Sequence, residues 1–243
     1  MRNIINKYKG PLILLLCSFL WGTTFVAQSI GSNTVGPYTF TGIRFIISGV
    51  ILLITYLLLN IKNLKFKIDK KIFLLAILTG VALSGGSLFQ QIGIDATKSA
   101  GKSAFITSLY IVFVPIISLL IGKKINFISL VAVFIALTGS YLIASKGKLV
   151  FEIGDIYIFI CAIFFAIQIL LVDYVSKHMN SILLCSIQFL VTGVIGLIFM
   201  FIFEQPNIVN IKESIFPILY AAIISGCFGY LLQIVGQKLQ TQL

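Results

Sequence analysis

Charged side chains are scarce in this chain of 243 residues, and acidic ones are scarcest. Charged residues make up 10% of the sequence, with seven Asp and Glu in total and one histidine, His178. Metalloenzymes need clustered ligands, and serine hydrolases need a Ser/His pair or a GxSxG elbow, and neither pattern occurs. We therefore expect no enzyme activity, no cofactor and no metal site. A membrane-bound enzyme is the less favoured alternative.

Cysteines at paired spacings are lacking as well. The four cysteines fall in four different apolar stretches, and that spread fits neither a zinc site nor a disulfide framework. We interpret them as small apolar packing residues. They are Cys17, Cys161, Cys185 and Cys227.

Apolar residues dominate the chain instead. They make up 59% of it, and the mean hydropathy is +1.10, far from the balance of a soluble domain. About 20 helical residues cross a bilayer core of roughly 30 Å, and the sequence offers that length repeatedly. It therefore predicts an all-α membrane protein whose surroundings are the lipid bilayer. The eight predicted spans are Pro11–Ile30, Tyr38–Leu59, Ile72–Gly93, Ala104–Ile121, Ile125–Ala144, Ile156–Asp173, Ile182–Phe203 and Phe216–Gln237.

Basic residues collect in alternate connections between the spans. Twelve Lys and Arg lie before span one, after spans two, four and six, and after span eight, whereas the other connections hold five. The side richer in Lys and Arg is normally cytoplasmic. The bias predicts a bacterial-type plasma-membrane protein with both termini of this chain in the cytoplasm. It also accounts for the net charge of +11 without a nucleic-acid partner.

The second half of the chain repeats the first. One constant shift along the chain, here named the first shift, pairs Cys17 with Cys161, Trp21 with Phe165, Arg44 with Gln188, Phe45 with Phe189 and Gly49 with Gly193. A shift shorter by a single residue, the second shift, then pairs Gly86 with Gly229, Gln90 with Gln233 and Gly93 with Gly236. We predict two units, residues 1–145 with spans one to five and residues 146–243 with spans six to eight.

The first predicted unit has an odd number of spans, so the second unit crosses the membrane upside down. Inverted repeats are typical of carriers that hold substrate near the midplane between the two units and expose it to each side in turn. Arg44 and its counterpart Gln188 then lie at similar depths from opposite faces. The repeat therefore predicts alternating access, with these two residues at the ends of one pathway.

Three segments carry a family resemblance. They are FLWGTTFVAQ, then GPYTFTGIRFIISGVILL, then FQQIGIDATKSAGKSAFITSLYIVFVPIISLLIGKKI. Together they resemble the EamA-type branch of the drug/metabolite transporter superfamily, over nearly the whole chain and most closely in residues 17–122. The resemblance implies two inverted five-helix units, cytoplasmic termini, and export or import of small metabolites or drugs.

Two features depart from that family pattern. The final GQKLQTQL corresponds to GIDATKSA before span four, so we expect the second repeat to be truncated, without equivalents of spans nine and ten. Gly122 is followed by Lys123 where the family often has Gly-Glu. Loss of two helices would expose closely packed faces to lipid. On this expectation the chain is a fragment, or a homo-oligomer or another partner supplies the helices, and a non-transporting scaffold or inactive fragment is the main alternative function.

Arg44 is the leading candidate for substrate binding, because a guanidinium in the hydrocarbon needs a wet cavity or a partner. The alternative is snorkelling, in which its flexible stem carries the charge to the headgroups. No carboxylate is suitably placed in a neighbouring span, and this favours an anionic or zwitterionic substrate. The other candidates are polar or aromatic residues within spans, which either bridge helices or line a cavity. They are Trp21, Thr24, Gln28, Ser87, Gln90, Gln91, Tyr110, Gln168, Gln188, Tyr230 and Gln233.

Overall fold

The structure is a computed structural model that describes residues 2–61, 68–122, 127–145 and 151–240. Every regular element in these ranges is a helix, and seven elements, each a single helix or a run of consecutive helices, are long and apolar enough to cross a membrane. The predicted all-α, multi-span membrane fold is confirmed. These membrane-length elements are Tyr8–Gly31, Pro37–Leu59, Lys70–Thr97, Ala100–Leu120, Ile153–Val175, Ser181–Phe203 and Ile215–Leu239.

The helices follow one another with short connections. In chain order they are α1 (Arg2–Gly31), α2 (Pro37–Leu59), α3 (Lys70–Thr97), α4 (Ala100–Thr107), α5 (Tyr110–Leu120), α6 (Phe127–Ser145), α7 (Ile153–Val175), α8 (Ser181–Phe203), α9 (Ile208–Glu213), α10 (Ile215–Tyr220) and α11 (Tyr230–Gln240). Between α10 and α11 the chain continues as a π-helix over Ala221–Gly229, here named the π segment.

The predicted fifth span corresponds to α6. This helix has 19 residues, and its described apolar stretch, Leu130–Gly139, is shorter than a membrane crossing. The first residues of the predicted span, from Ile125, lie outside the described residues. Seven of the eight predicted spans are therefore confirmed, and the fifth stays a prediction.

The predicted fourth span, Ala104–Ile121, is present but is not one continuous helix. It divides into α4 and α5 at Ser108 and Leu109. The chain tightens there, with Leu109 N donating to Ile106 O at 3.1 Å and Ile111 N donating to Ser108 O at 3.0 Å. Pro115 crowds the carbonyl four residues earlier, that of Ile111. The break therefore lies in the turn that precedes this carbonyl.

Helix packing follows the order that an inverted repeat predicts. The most extensive pairs are α2 with α8 and α3 with α7, and α1 packs along the π segment and α11. Span two thus packs on its repeat counterpart, while each third span packs on the first span of the other unit. Phe45 and Phe189, which are counterparts under the first shift, meet with ring centroids 5.2 Å apart. The boundaries of the two units stay predictions.

Individual contacts repeat in the same way. A Cβ on Gly86 would lie 2.6 Å from the Phe165 ring, and a Cβ on Gly229 would lie 2.7 Å from Trp21 Nε1. The two contacts join residues that the repeat pairs, Gly86 with Gly229 and Trp21 with Phe165. These glycines therefore let α3 and the π segment approach an aromatic ring of the opposite unit.

The α2–α8 pair is close enough to exclude side chains at its crossing. A Cβ on Gly196 would lie 2.7 Å from Gly42 Cα, and a Cβ on Gly42 would lie 2.9 Å from Leu197 N. Small residues allow helix backbones to approach in this way in membranes. The N-terminus of α2 is held by Glu204, whose carboxylate accepts from Tyr38 N at 2.9 Å and Thr39 N at 2.8 Å. These contacts fix the helix that carries Arg44.

Candidate functional site

A cavity of about 270 Å³ lies between helices of both halves of the bundle. Its wall is built from α1, α2 and α3, from α4 and α5, and from α7, the π segment and α11. The lining residues are Ser18, Trp21, Gly22, Thr24, Phe25, Gln28, Arg44, Phe45, Gln90, Ala104, Thr107, Ser108, Tyr110, Ile111, Phe165, Gln168, Ile169, Ser225, Tyr230 and Gln233. A concave, largely apolar wall with a few convergent polar groups is the usual form of a small-molecule site.

Nine of the twelve candidate residues from the sequence line this cavity. They are Trp21, Thr24, Gln28, Arg44, Gln90, Tyr110, Gln168, Tyr230 and Gln233. They come from helices that are distant in sequence, so the fold brings together side chains that no local motif connects. Their contact with a substrate stays a prediction.

The Arg44 guanidinium points inward and stacks on aromatic rings. The residue is 5% exposed, which does not fit a side chain that reaches the headgroups. Its Cζ lies 4.6 Å from the centroid of the Phe45 ring and 5.5 Å from that of Phe40. Cation–π attraction of this kind stabilises a desolvated guanidinium. Arg44 therefore presents a positive charge to the cavity.

That charge has no acidic partner. All seven Asp and Glu lie in the described ranges, and the ion pairs found there do not include Arg44. Its Nε is buried without a hydrogen-bond partner. Arg44 is also the one charged side chain in the described cavity wall. The site consequently has a positive charge available for an anionic group.

A chain of amides crosses the side of the cavity formed by the second half. Gln168 Nε2 donates to Gln188 Oε1 at 3.1 Å, and Gln233 Nε2 donates to Gln168 Oε1 at 3.5 Å. All three residues are at most 3% exposed. Because buried amides must be paired, this relay ties α7, α8 and α11 together. Gln168 and Gln233 bridge helices and line the cavity at once.

Two amide oxygens in the wall lack a hydrogen-bond donor. They are Oε1 of Gln28 and Oε1 of Gln233, both buried. An unpaired buried acceptor costs free energy until a donor reaches it. The cavity therefore combines a cation with acceptors that suit an N–H or O–H group. No cluster of three His, Cys, Asp or Glu that could hold a metal occurs in the described part of the chain.

Three candidate residues lie outside the described cavity wall, and their contact with a substrate also stays a prediction. Ser87 is fully buried in α3. Gln91 donates from Nε2 to Gln28 O at 3.2 Å and so joins α3 to α1. Gln188 is occupied by the amide relay and donates to Cys185 Sγ at 3.8 Å. All three have helix-bridging or core positions, the alternative that the sequence left open.

Comparison with known proteins identifies the family of the chain. A model of the EamA-like transporter family matches residues 8–145 and 152–241. The chain belongs to this family. It is an integral membrane protein with the helical architecture of a membrane transporter, and its family indicates a transporter rather than an enzyme.

Several relatives of this EamA-like chain carry transporter names. It is 31% identical over 185 residues to an uncharacterized transporter of Archaeoglobus fulgidus, covering 76% of this chain and 55% of that protein. It is 28% identical over 239 residues to an uncharacterized transporter of Buchnera aphidicola from Schizaphis graminum, covering 93% and 77%. The uncharacterized transporter YoaV of Bacillus subtilis is 24% identical over 232 residues, covering 91% and 77%. This chain thus spans about half the length of the archaeal relative.

A crystal structure shares the fold of this EamA-like chain. The two superpose with a TM-score of 0.74 at 15% sequence identity, covering 96% of this chain and 80% of the other. At that identity the likeness concerns the fold alone.

Several lining residues were not predicted from the sequence. Phe25, Phe45 and Phe165 are indistinguishable from core phenylalanines in an apolar helix, although Phe165 is the repeat counterpart of Trp21. That pairing was a usable signal for Phe165. Ser225 carried no signal, because its place in the wall depends on the π segment.

Proposed function

We propose that this EamA-like chain is a secondary transporter that moves small anionic or zwitterionic metabolites or drugs across the membrane by alternating access, with the described cavity as its binding site. The observation that carries the proposal is Arg44, a buried guanidinium without a carboxylate partner in the wall of a cavity that both halves enclose. The membership of a membrane transporter family supports the general activity.

The physical argument begins with the cost of the charge. An ionised group taken out of water loses several kcal/mol of hydration unless other charges or dipoles replace it. The rings of Phe40 and Phe45 replace part of that hydration. A substrate carboxylate or phosphate would supply the missing partner and form charge-assisted hydrogen bonds. The anion is therefore the substrate feature that this site selects.

Alternating access is supported by the paired contacts of the two halves. A substrate site between inverted units can be exposed to either side by rocking one unit against the other. The cavity is walled by α1, α2 and α3 on one side and by α7 and α11 on the other. As these contacts exchange, a substrate bound in the cavity would be exposed first to one face of the membrane and then to the other.

The test is counterflow into proteoliposomes with a panel of radiolabelled organic acids and amino acids, each run with the amide or ester that lacks its carboxylate charge. We expect saturable flux for at least one acid and none for its amide or ester. Folded protein without saturable flux for any acid would refute the proposal in favour of the scaffold alternative. Flux that does not saturate would indicate a channel.

Arg44 variants sharpen this test. Hydrogen bonds to charged groups contribute about 1.5–3 kcal/mol, so Arg44→Gln should weaken binding of the transported acid by roughly 10- to 150-fold. Arg44→Lys should lose less, because the charge remains while the forked geometry is lost. Lys212→Gln is the matched control, since it removes one positive charge from the exposed helix α9. Equal affinity in wild type and Arg44→Gln would exclude Arg44 from the site.

A further inference from the structure

The third span of each unit has a counterpart in the other, and the correspondence changes by one residue along its length. Ser48 Oγ donates to Ala222 O at 2.8 Å, and Thr192 Oγ1 donates to Gly80 O at 3.0 Å. Ser48 and Thr192 are counterparts under the first shift and occupy equivalent places in α2 and α8. At this end, therefore, Ala222 corresponds to Gly80. The spacing of that pair along the chain is here named the short offset.

From Gly229, the last residue of the π segment, the offset is longer by one residue; this spacing, which equals the second shift, is here named the long offset. Gly229 corresponds to Gly86, because each lies against the equivalent aromatic ring of the other unit. Further along, a Cβ on Gly236 would lie 2.7 Å from Leu14 Cγ, and one on Gly93 would clash with Ile158 Cγ1. Leu14 and Ile158 are again counterparts under the first shift. One extra residue therefore enters the second unit between Ala222 and Gly229.

Burial along the two helices gives the same result independently. Up to Ala222, near the start of the π segment, the buried residues Ile218, Ala221 and Ala222 match buried residues of α3 at the short offset. These matches are Ala76, Thr79 and Gly80. At the long offset, Ala221 would instead correspond to Leu78, which is 46% exposed. The buried faces therefore stay in register only if the extra residue lies in the π segment.

A π-helix is the local form that such an insertion takes. Its bonds close at i+5 rather than i+4, so one turn holds an added residue while the flanking α-helices keep their facing. In the described structure α3 is α-helical throughout, and the inserted residue is peculiar to the second unit. Ser225 lies within the insertion and lines the cavity, whereas its counterparts in α3, Ala82 and Leu83, do not.

Ser48 connects this insertion to the helix of Arg44. Its hydroxyl lies 2.7 Å from Arg44 O and 2.8 Å from Ala222 O, and its single proton serves both carbonyls. The fit is close, since a Cβ on Gly226 would clash with the Ser48 side chain. The carbonyl of Ala222, at the start of the π segment, is therefore held from α2, one helical turn beyond Arg44.

We propose that the π segment is a one-residue insertion that brings Ser225 into the cavity wall as a hydrogen-bonding contact for the substrate, and that Ser48 is the positioning residue that holds the insertion in place. The assignment of Ser225 to substrate rests on the proposed transport function, whereas the insertion and its effect on the wall do not. A mere packing irregularity would leave Ser225 no more accessible than its neighbours in the core.

The first experiment deletes one residue from each third span. Deletion of Ile223 removes the insertion and should leave a folded, monodisperse protein, because the π turn relaxes to α and both flanking faces keep their register. Val81 is its counterpart at the short offset and is exposed to a similar extent. Its deletion from the continuous helix α3 should turn the following buried face by about 100° and abolish folding. Equal loss of folded protein in both variants would overturn the insertion.

The second experiment measures access to position 225. Ser225→Cys should react with a sulfonate-bearing methanethiosulfonate reagent several-fold faster than the four buried native cysteines. Labelling of these cysteines in the wild-type protein is the blank. Deletion of Ile223 or Ser48→Ala should slow this labelling. Ser48→Thr should restore the rate because the hydroxyl is retained, and Thr192→Ala should leave it unchanged. The proposal would be overturned if Ser225→Cys were labelled no faster than the blank. It would also be overturned if neither deletion of Ile223 nor Ser48→Ala changed the labelling rate.

The two proposals fail separately. If wild-type protein shows no saturable flux but the labelling contrast holds, the transport function is wrong and the insertion stands. If transport saturates while Ser225→Ala leaves the affinity for the transported acid unchanged, Ser225 is not a substrate contact and the inference is wrong.

Discussion

The crossing of α2 and α8 offers a prediction with a magnitude that follows from the contacts. In Gly196→Ala the new Cβ would lie 2.7 Å from Gly42 Cα and 2.9 Å from Gly42 N. Carbon atoms in contact prefer about 3.5–4.0 Å, so the helices must separate by roughly 1 Å. Both neighbouring atoms are backbone, and no side chain can rotate away. Overpacking of this kind costs about 1–3 kcal/mol.

The control is Gly139→Ala in α6. A Cβ there meets no atom within 4 Å, so this variant carries the same gain in helix propensity, about 1 kcal/mol, without the clash. The two variants should therefore differ by the clash alone. For a chain of this length that difference corresponds to a melting temperature lower by roughly 2–12 °C in Gly196→Ala.

The chain itself provides the assay. Its four cysteines are at most 6% exposed, and buried thiols are inert. A fluorogenic thiol reagent added to the protein in detergent micelles during a thermal ramp will report unfolding as these thiols become accessible. If Gly196→Ala melts at or above the temperature of Gly139→Ala, the α2–α8 contact is not as close as described, and the placement of Arg44 that depends on it is wrong.

Two further variants test polar contacts with the same thermal assay. Gln168→Leu removes both hydrogen bonds of the amide relay, so Gln188 Oε1 and Gln233 Nε2 lose their partner. The protein should be destabilised by about 1–3 kcal/mol. An unchanged melting temperature would refute the relay. Glu204→Gln weakens the cap on α2 and should cost roughly 0.3–2 kcal/mol, whereas Glu213→Gln, on the exposed face of α9, should cost nothing measurable.

Hydropathy and repeat matching were sufficient for much of the fold. Crossing a bilayer imposes length and apolarity on each helix, so those features are visible in the sequence. The breaks within spans were harder to foresee. The division at Ser108 depends on local bonding near Pro115, and the π segment depends on packing against α2 that hydropathy does not encode. A single inserted residue leaves composition and periodicity almost unchanged.

The polar residues of the site were predictable from the sequence, because a polar residue is costly in an apolar span. The apolar lining residues were not, because apolar residues are common throughout such a span. Arg44 and the glutamines stand out in an apolar span because each needs a partner or water there. The same reasoning does not separate lining from bridging roles, and so it grouped Gln91 and Gln188 with the cavity residues. Only tertiary contacts distinguish an amide that faces a cavity from one that joins two helices.

The repeat also explains why the cavity is electrostatically one-sided. Arg44 and Gln188 are counterparts, yet Gln188 is occupied by the amide relay, whereas Arg44 has no carboxylate partner and its Nε has no hydrogen-bond partner in the described structure. A substrate anion would therefore bind the first unit through a charge and meet the second through neutral amides and Ser225. Charge-assisted bonds are stronger than neutral ones. In the alternating-access cycle that we propose, the anion would then stay bound to α2 while the weaker contacts to the second unit exchange.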